Sequence, residues 1–113
     1  MTATRLRQRD EALQKANRVR LALAALRAEI RDMPRHQGAR RIAALLGDRD
    51  PRIESTTVAK LLSMPHGFGQ TRRAMVVRSA GLLTADKRID ALTDRQRDML
   101  RLAVLQYANE PGR

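Results

Sequence analysis

The feature that most constrains how this chain folds is a break between two apolar helical patterns. The first pattern ends at Pro65, because the residue before a proline is pushed out of the helical region. Gly67 and Gly69 then flank Phe68, the only phenylalanine in the chain, and glycine takes a positive φ without a Cβ clash. A second helical pattern starts directly afterwards. The sequence therefore predicts two helices joined by a tight glycine corner at residues 64–71, with Phe68 packed between them.

This glycine corner has the physical properties of an anion site. The first N–H groups of a helix have no partner within it and carry a partial positive charge. Glycines allow a phosphate to approach such groups closely. The residues expected to contact a phosphate here are Gly67, Phe68, Gly69, Gln70, Thr71, Arg72 and Arg73. The alternative interpretation is a plain helix–turn–helix corner whose arginines are simply solvated.

A long first helix is predicted over about residues 5–33. Apolar residues recur at steps of three and four from Leu13 to Met33, and Pro34 ends the pattern. The N-terminal part has few apolar partners, so we expect it to project into solvent. One interpretation is a basic rod that lies along a DNA backbone. The side chains expected to contact DNA are Arg20, Arg27 and Arg31. The alternatives are a solvated helix face or a helix that binds a protein partner.

The rest of the chain predicts shorter helices. Residues 35–38 have the composition of a turn, and a short helix is predicted over 39–46, with Arg40 and Arg41 near its start. Ser55 or Thr56 is expected to cap the helix that leads to Pro65. The predicted fold is all-α and forms a single domain over residues 1–113. It has a long basic helix followed by a compact bundle of about four helices, at about 39–108, that contains the glycine hairpin.

The final helix is predicted from Asp94 to Ala108. Thr93 and Gln96 have the spacing of a capping box, in which each side chain bonds to the other residue's main chain. A wide face of this helix is expected to be buried, namely Met99, Leu100, Leu102, Ala103, Val104 and Tyr107.

Charge narrows the choice of partner. The 113 residues include 23 Lys and Arg against 12 Asp and Glu, a formal net charge of +11, which suits a polyanion or an acidic membrane surface. Twenty of the 23 basic residues are arginine, which binds phosphate and guanine edges in a forked geometry. The codon usage of a GC-rich genome is a simpler source of part of this bias. Residues 1–47 hold 11 basic and 4 acidic residues, so the positive charge is concentrated at the front of the chain.

Several classes of protein are not expected from this composition. Cysteine is absent, so we expect no disulfide framework and no thiolate metal site. No apolar run approaches the ~20 residues that cross a bilayer, so we expect no membrane-spanning segment. Phe68 and Tyr107 are the only aromatic residues, which argues against stacking of single-stranded bases. His36 and His66 lack carboxylates at metal-ligand spacing, and no nucleotide-binding or nucleophile motif is present. We therefore expect no enzymatic activity, catalytic residue, metal or cofactor, and a cytoplasmic protein, a location that for a bacterial DNA-binding protein means the nucleoid.

Around the corner, a known pattern is carried by Met64-Pro65-His66-Gly67-Phe68-Gly69, Arg72, Val76-Val77 and Ala80-Gly81-Leu82. These residues resemble the helix–hairpin–helix core of the actinobacterial integration host factors. Weaker similarity is carried downstream by Lys87-Arg88-Ile89, Leu92 and Gln96, and upstream by Lys15-Ala16 and Val19-Arg20. The layout is also similar to a ribosomal small-subunit protein that carries a helix–two-turns–helix element. The resemblance covers roughly residues 12–105 and is strongest across 56–97.

Two residues depart from the family pattern. The family's turn usually reads Leu-Pro-Gly-apolar-Gly, and here His66 is an extra residue between Pro65 and Gly67. Asp90 stands where the family tends to have another basic residue.

The resemblance implies a nucleoid-associated protein that binds double-stranded DNA with little or no base specificity. Such a protein bends, bridges or compacts DNA, assists site-specific recombination, and is monomeric when free. Lys87 and Arg88 would reach a phosphate or the minor groove, and the first helix together with Arg40 and Arg41 would hold a second DNA segment. Possible partners besides DNA are a recombinase or other nucleoid proteins, and no membrane is expected. Two alternatives stay open: a protein that binds structured RNA, and an adaptor whose first helix pairs with a recombinase or transcription partner.

Overall fold

The computed structural model describes residues 2–110, and their side chains from residue 4 onward. It contains five helices, α1 (Thr2–Arg31), α2 (Arg35–Gly47), α3 (Val58–Leu62), α4 (Gln70–Ser79) and α5 (Asp94–Ala108). Short 3₁₀ turns lie at Pro51–Ile53 and Ile89–Ala91. Within these residues no strand forms, so the all-α class is confirmed. No helix among them has both the length and the apolar character that crossing a bilayer requires.

α1 is a helix that contributes to the core only near its end. Leu26 and Ile30 are fully buried, whereas every residue from 4 to 18 is exposed. Leu6 and Leu13 are 57% and 62% exposed. The prediction that the front of this helix projects into solvent is confirmed, and the molecule measures 60 × 29 × 23 Å.

α2 begins four residues earlier than predicted, because residues 35–38 are helical and not a turn. Gly38 is buried, and a Cβ on it would lie 3.3 Å from Cβ of Pro65 and 3.4 Å from Cγ2 of Ile30. Gly38 therefore allows α1, α2 and the glycine corner to approach closely. The sequence prediction was wrong because it assigned this glycine to a chain reversal.

The core is centred on α2 and α5, which form the most extensive contact between helices. The largest fully buried side chains of this core include Ile42, Leu45, Leu46, Ile53, Leu61, Met64, Ile89 and Leu100. These residues come from α2, α3, α5, both 3₁₀ turns and the glycine corner, so the short α3 and the 3₁₀ turns are held in place by burial and not by their own length.

α5 has the predicted bounds and the predicted start. The Thr93 hydroxyl accepts a hydrogen bond from the Gln96 amide at 3.1 Å, and the Gln96 side chain accepts one from the Thr93 amide at 3.0 Å. The predicted buried face was partly wrong, because Leu102 is 51% exposed whereas Arg97 is only 5% exposed.

Main-chain hydrogen bonds connect the segment that follows α4 to the start of α3. The amides of Val58 and Ala59 donate to the carbonyls of Lys87 at 3.0 Å and Ala85 at 2.8 Å. α3 is capped by Thr57, whose hydroxyl accepts from the Lys60 amide at 3.2 Å, and neither Ser55 nor Thr56 has this role. Thr56 is instead buried.

Candidate nucleic-acid interface

Residues 63–69 connect α3 to α4 and contain the turn of the glycine corner. Gly67 has φ +76°, in the left-handed region that other residues enter only with strain. Gly69 is extended and forms the N-cap of α4. Both glycines are exposed, whereas Met64 and Pro65 are buried. The chain therefore makes its tight turn at Gly67, and the two glycines add no side chains to the surface between the exposed His66 and Gln70.

Phe68 anchors this corner to the final helix. Its side chain is 5% exposed and packs edge-to-face on Tyr107 of α5, with 4.5 Å between ring centroids. The His36 ring at the start of α2 also lies against Tyr107, at 5.7 Å. Phe68 therefore contacts α5, a partner that the sequence did not indicate.

The start of α4 leaves main-chain donors unpaired. Gly69 provides no side-chain cap, and the first turn contains no acidic residue. The first helical hydrogen bond runs from the Arg73 amide to the Gly69 carbonyl at 3.0 Å. The amides of Gln70, Thr71 and Arg72 precede that bond, so they form the electropositive end of the helix dipole.

A second uncapped helix start lies at the same corner. α2 begins at Arg35 after Pro34, without a side-chain cap or an acidic residue in its first turn. A Cβ on Gly67 would lie 3.4 Å from Cδ of Arg35, so this side chain lies against the corner. Arg35 was not among the site residues expected from the sequence, although Pro34 marks a helix start, where proline is enriched.

The two arginines of the corner differ in their surroundings. Arg72 forms an ion pair with Glu110, and its guanidinium lies 4.8 Å from the centroid of the Tyr107 ring. Arg73 is half-buried and has no side-chain partner among the described residues. Arg72 is therefore already engaged by the end of α5, while Arg73 is available.

Lys87 and Arg88 are each paired within the fold. Lys87 Nζ donates to the Gln96 side chain at 3.2 Å, and Arg88 Nη2 lies 2.6 Å from a carboxylate oxygen of Asp90. Asp90, the residue that departs from the family pattern, thus neutralises Arg88 directly.

Arg20, Arg27 and Arg31 form an arginine row along α1. At about 100° per residue, steps of seven and four place them within about 40° of one another around the helix axis. None of them has a side-chain partner among residues 2–110, although Arg27 is half-buried.

Arg40 and Arg41, by contrast, do not act as a pair. Arg40 donates to the Ala108 carbonyl at 3.3 Å, whereas Arg41 lies 3.9 Å from Glu29 on α1. The two side chains therefore tie α2 to different helices.

In the described part of the chain, more basic than acidic side chains lack an ion pair or a hydrogen bond. Besides the arginine row, the side chains without an ion pair or hydrogen bond are those of Arg5, Arg7, Arg9, Lys15, Arg18, Lys60, Arg73, Arg78 and Arg95. The unpaired acidic residues there are Asp10, Glu11, Asp32, Asp48 and Asp86. Five of these cations, and two of the acidic residues, lie on the exposed N-terminal part of α1, so that segment carries a net positive charge.

Comparison with protein-family models, curated proteins and solved structures gave no match for this chain. The resemblance to the actinobacterial integration host factors therefore stays a prediction from the sequence. Within residues 2–110, no three His, Asp or Glu side chains are grouped so that they could hold a metal ion.

Proposed function

We propose that this protein binds double-stranded DNA through its phosphate backbone, with little base specificity, and bends, bridges or compacts it in the bacterial nucleoid. The observation that carries the proposal is the exposed corner at Gly67–Gly69, where two uncapped helix starts meet beside Arg35. In this proposal the corner is the helix–two-turns–helix hairpin of the integration host factor family. The net charge of +11 supports a polyanionic partner.

The corner would hold a phosphate mainly by its main chain. The amides of Gln70, Thr71 and Arg72 would donate to phosphate oxygens, and the missing side chains at Gly67 and Gly69 leave room for the backbone of the duplex. Arg73 would neutralise the adjacent phosphate. These contacts involve no base edge, which is why we propose weak sequence preference.

Binding at Arg72 requires an exchange of partners. Its guanidinium is paired with Glu110, so a phosphate would have to take the place of that carboxylate. Both members of this pair are about half exposed, and exposed pairs contribute only ~0.2–1 kcal/mol, so the exchange is energetically accessible.

The arginine row would provide a second DNA-binding surface. It spans ~16 Å along α1, from Arg20 to Arg31, and continues into the basic, exposed front of that helix. Two separate basic surfaces on one rigid body would allow a monomer to hold two duplex segments or one bent segment. A role in assisting site-specific recombination belongs to the same proposal, since bringing DNA sites together requires such bridging.

The double substitution Arg72→Ala/Arg73→Ala tests the corner. We expect weaker binding to all duplexes alike, and a log–log salt slope that falls by roughly two units, because each neutralised phosphate contributes about 0.9. Gel shifts or fluorescence anisotropy across about 50–200 mM salt measure this slope.

A matched control is Arg49→Ala/Arg95→Ala. Arg49, like Arg72, is paired with a carboxylate, that of Asp94, and Arg95, like Arg73, has no partner among the described residues. The start of α5, where Asp94 lies, is ~20 Å from Tyr107 along the helix. The control should change the slope by much less than the corner variant. Equal slopes for the wild type and the corner variant would disprove the assignment of the corner.

The RNA-binding alternative is separated by competition. Unlabelled duplex DNA and a structured RNA of equal length compete for the labelled complex at one salt concentration. We expect DNA to compete at least as well as RNA, and a preference for RNA of about tenfold or more would reverse the proposal.

A further inference from the structure

A groove runs along one side of α4. It has a volume of about 630 Å³ and lies between α3, α4 and the segment that follows α4. Its apolar lining includes Leu62, Val77 and Leu82, which are buried, and Leu83, whose side chain is fully exposed at 104% of its reference area. The size matches that of pockets that hold a ligand or a few side chains of a partner.

The charged side chains among the described residues that line this groove are all basic. Arg73 and Arg78 line it, and neither has a side-chain partner among residues 2–110. No acidic side chain is among the described residues that line it, since Asp86 follows the lining residue Ala85 without joining it. An apolar floor with two unpaired guanidinium groups at its edge is complementary to an apolar segment that carries carboxylates.

The groove is also preformed. Gly81, at φ +72°, turns the chain at the end of α4, and the Leu82 amide donates to the Val77 carbonyl at 3.2 Å. Ala85 is held to α3 through the Ala59 amide at 2.8 Å. An occupant would therefore lose little free energy in ordering the walls of the groove.

From these observations we infer that the groove docks a short acidic, amphipathic segment of a partner protein. Apolar side chains of the segment would cover Leu83 and fill the space above Val77, and two carboxylates would pair with Arg73 and Arg78. The two arginines are five positions apart on α4, about 7.5 Å along its axis. They are also about 140° apart around that axis, so they flank the groove, and the two carboxylates would lie on either side of the apolar side chains of the segment.

The test uses a fluorescein-labelled helical peptide with leucines at i, i+3 and i+7 and glutamates beside them. A second peptide has lysines in place of the glutamates. We expect the acidic peptide to raise the anisotropy and to shift the amide resonances of Ala59, Ala74, Val77 and Thr84 in the ¹⁵N-labelled full chain. The lysine peptide should produce neither change. Equal binding of both peptides, or no binding of the acidic one at about 1 mM, would overturn the inference.

Two variants of the protein locate the contact. Leu83→Ser removes an exposed apolar side chain without disturbing the core, and Arg78→Glu reverses one charge. Each should weaken binding of the acidic peptide about tenfold, whereas Arg95→Glu, with the same change of net charge on α5, should stay within about twofold of the wild type.

Duplex DNA is the competing occupant. If DNA shifts the resonances of Leu83 and Thr84 and displaces the peptide from the Arg95→Glu control, the groove belongs to the DNA surface and the inference fails. Arg73 also belongs to the proposed phosphate contact, so DNA bound at the corner would compete for that side chain. If Leu83→Ser loses the peptide and binds DNA like the wild type, the apolar part of the docking site is separate from the proposed DNA contact. Failure of DNA binding at the corner would leave this result unchanged.

Discussion

Arg97 shows how a single residue can be misjudged from sequence. It stands on α5 among polar residues, yet it is 5% exposed and its Nη2 contacts Glu54 at 2.9 Å and the Ile89 carbonyl at 3.2 Å. Its Nε and Nη1, and Oε1 of Glu54, are buried without a partner. The partners lie 43 and 8 residues away, so no local spacing in the sequence could indicate the burial.

Glu54→Leu should destabilise the fold by roughly 3 kcal/mol, because it leaves the Arg97 charge buried without compensation. Glu54→Leu/Arg97→Met should recover most or all of that loss, since both charges and their unmet hydrogen bonds are then removed. Urea unfolding followed by circular dichroism measures both free energies. A double variant no more stable than Glu54→Leu alone would show that the pair is not coupled.

Asp50 provides a pH-dependent contribution to stability. Its carboxylate accepts hydrogen bonds from the Arg52 amide at 2.9 Å and the Arg52 guanidinium at 2.8 and 3.0 Å. The hydrogen bonds from the Arg52 side chain lower the pKa of Asp50, and partial burial opposes them. The ionised form is therefore favoured in the fold. Its stabilisation is present above the pKa of the unfolded chain and is lost as the pH falls through the lowered folded value.

Asp50→Asn should cost about 1 kcal/mol at neutral pH, since it keeps a cap for the 3₁₀ turn but loses the charge. The difference from the wild type should shrink as the pH falls from about 4, where Asp50 of the unfolded chain takes up a proton, through the lowered pKa of Asp50 in the fold. Thermal unfolding of both proteins between about pH 2 and 7 measures this convergence. A difference that is constant down to the lowest pH would contradict it.

At the scale of elements, prediction succeeded where a signal is local. The Thr93 and Gln96 side chains satisfy the first amides of α5 by themselves, so the start of that helix could be predicted from the sequence. The turn at Gly67 follows likewise from the chemistry of one residue. The start of α2 could not be predicted, because Gly38 there serves a contact with Pro65 and Ile30, which are distant in sequence.

In the candidate site, too, local features could be predicted from the sequence and contacts between distant residues could not. The positions of Gly67, Gly69 and Arg73 at an exposed helix start could be predicted from the sequence. The contacts of Arg72 with Glu110 and Tyr107, and of Arg35 with the corner, depend on the docking of α5 and α2. Whether these residues bind DNA stays a prediction.

Glu110→Gln should tighten DNA binding by roughly two- to fivefold, because the substitution frees Arg72 from a competing carboxylate. Fluorescence anisotropy with a duplex at fixed salt measures the change. Asp98→Asn is the control, since it removes the same charge from another arginine pair, with Arg101. An effect of Glu110→Gln no larger than that of the control would mean that Arg72 does not contact the phosphate.

At the scale of the whole molecule, the front of α1 stands apart from the core. Since residues 4–18 are all exposed, they add length and charge but bury no apolar surface. Replacing Arg5, Arg7, Arg9 and Lys15 with Gln should therefore leave the thermal midpoint almost unchanged. It should reduce the salt slope of DNA binding by up to about 3.6 units, because four cations would no longer displace counterions.

Comparing the salt slopes of this variant and of Arg72→Ala/Arg73→Ala shows how many phosphate contacts are made by the N-terminal part of α1 and how many by the glycine corner. An unchanged slope for the glutamine variant would show that these four side chains make no DNA contact and would leave the arginine row and the glycine corner as the DNA-binding surfaces. The full-length glutamine variant is preferable to a truncation, because it retains Leu6 and Leu13 and so preserves any pairing of the helix with a protein partner.

The length of α1 also sets how densely such a protein can coat a duplex. A body 60 Å long, laid lengthwise on B-form DNA, would cover about 18 base pairs at ~3.4 Å each. The same body standing on the duplex, with its 29 Å dimension along the DNA, would cover about nine. Saturation stoichiometry on fragments of increasing length therefore distinguishes a molecule that lies along the double helix from one that stands on it.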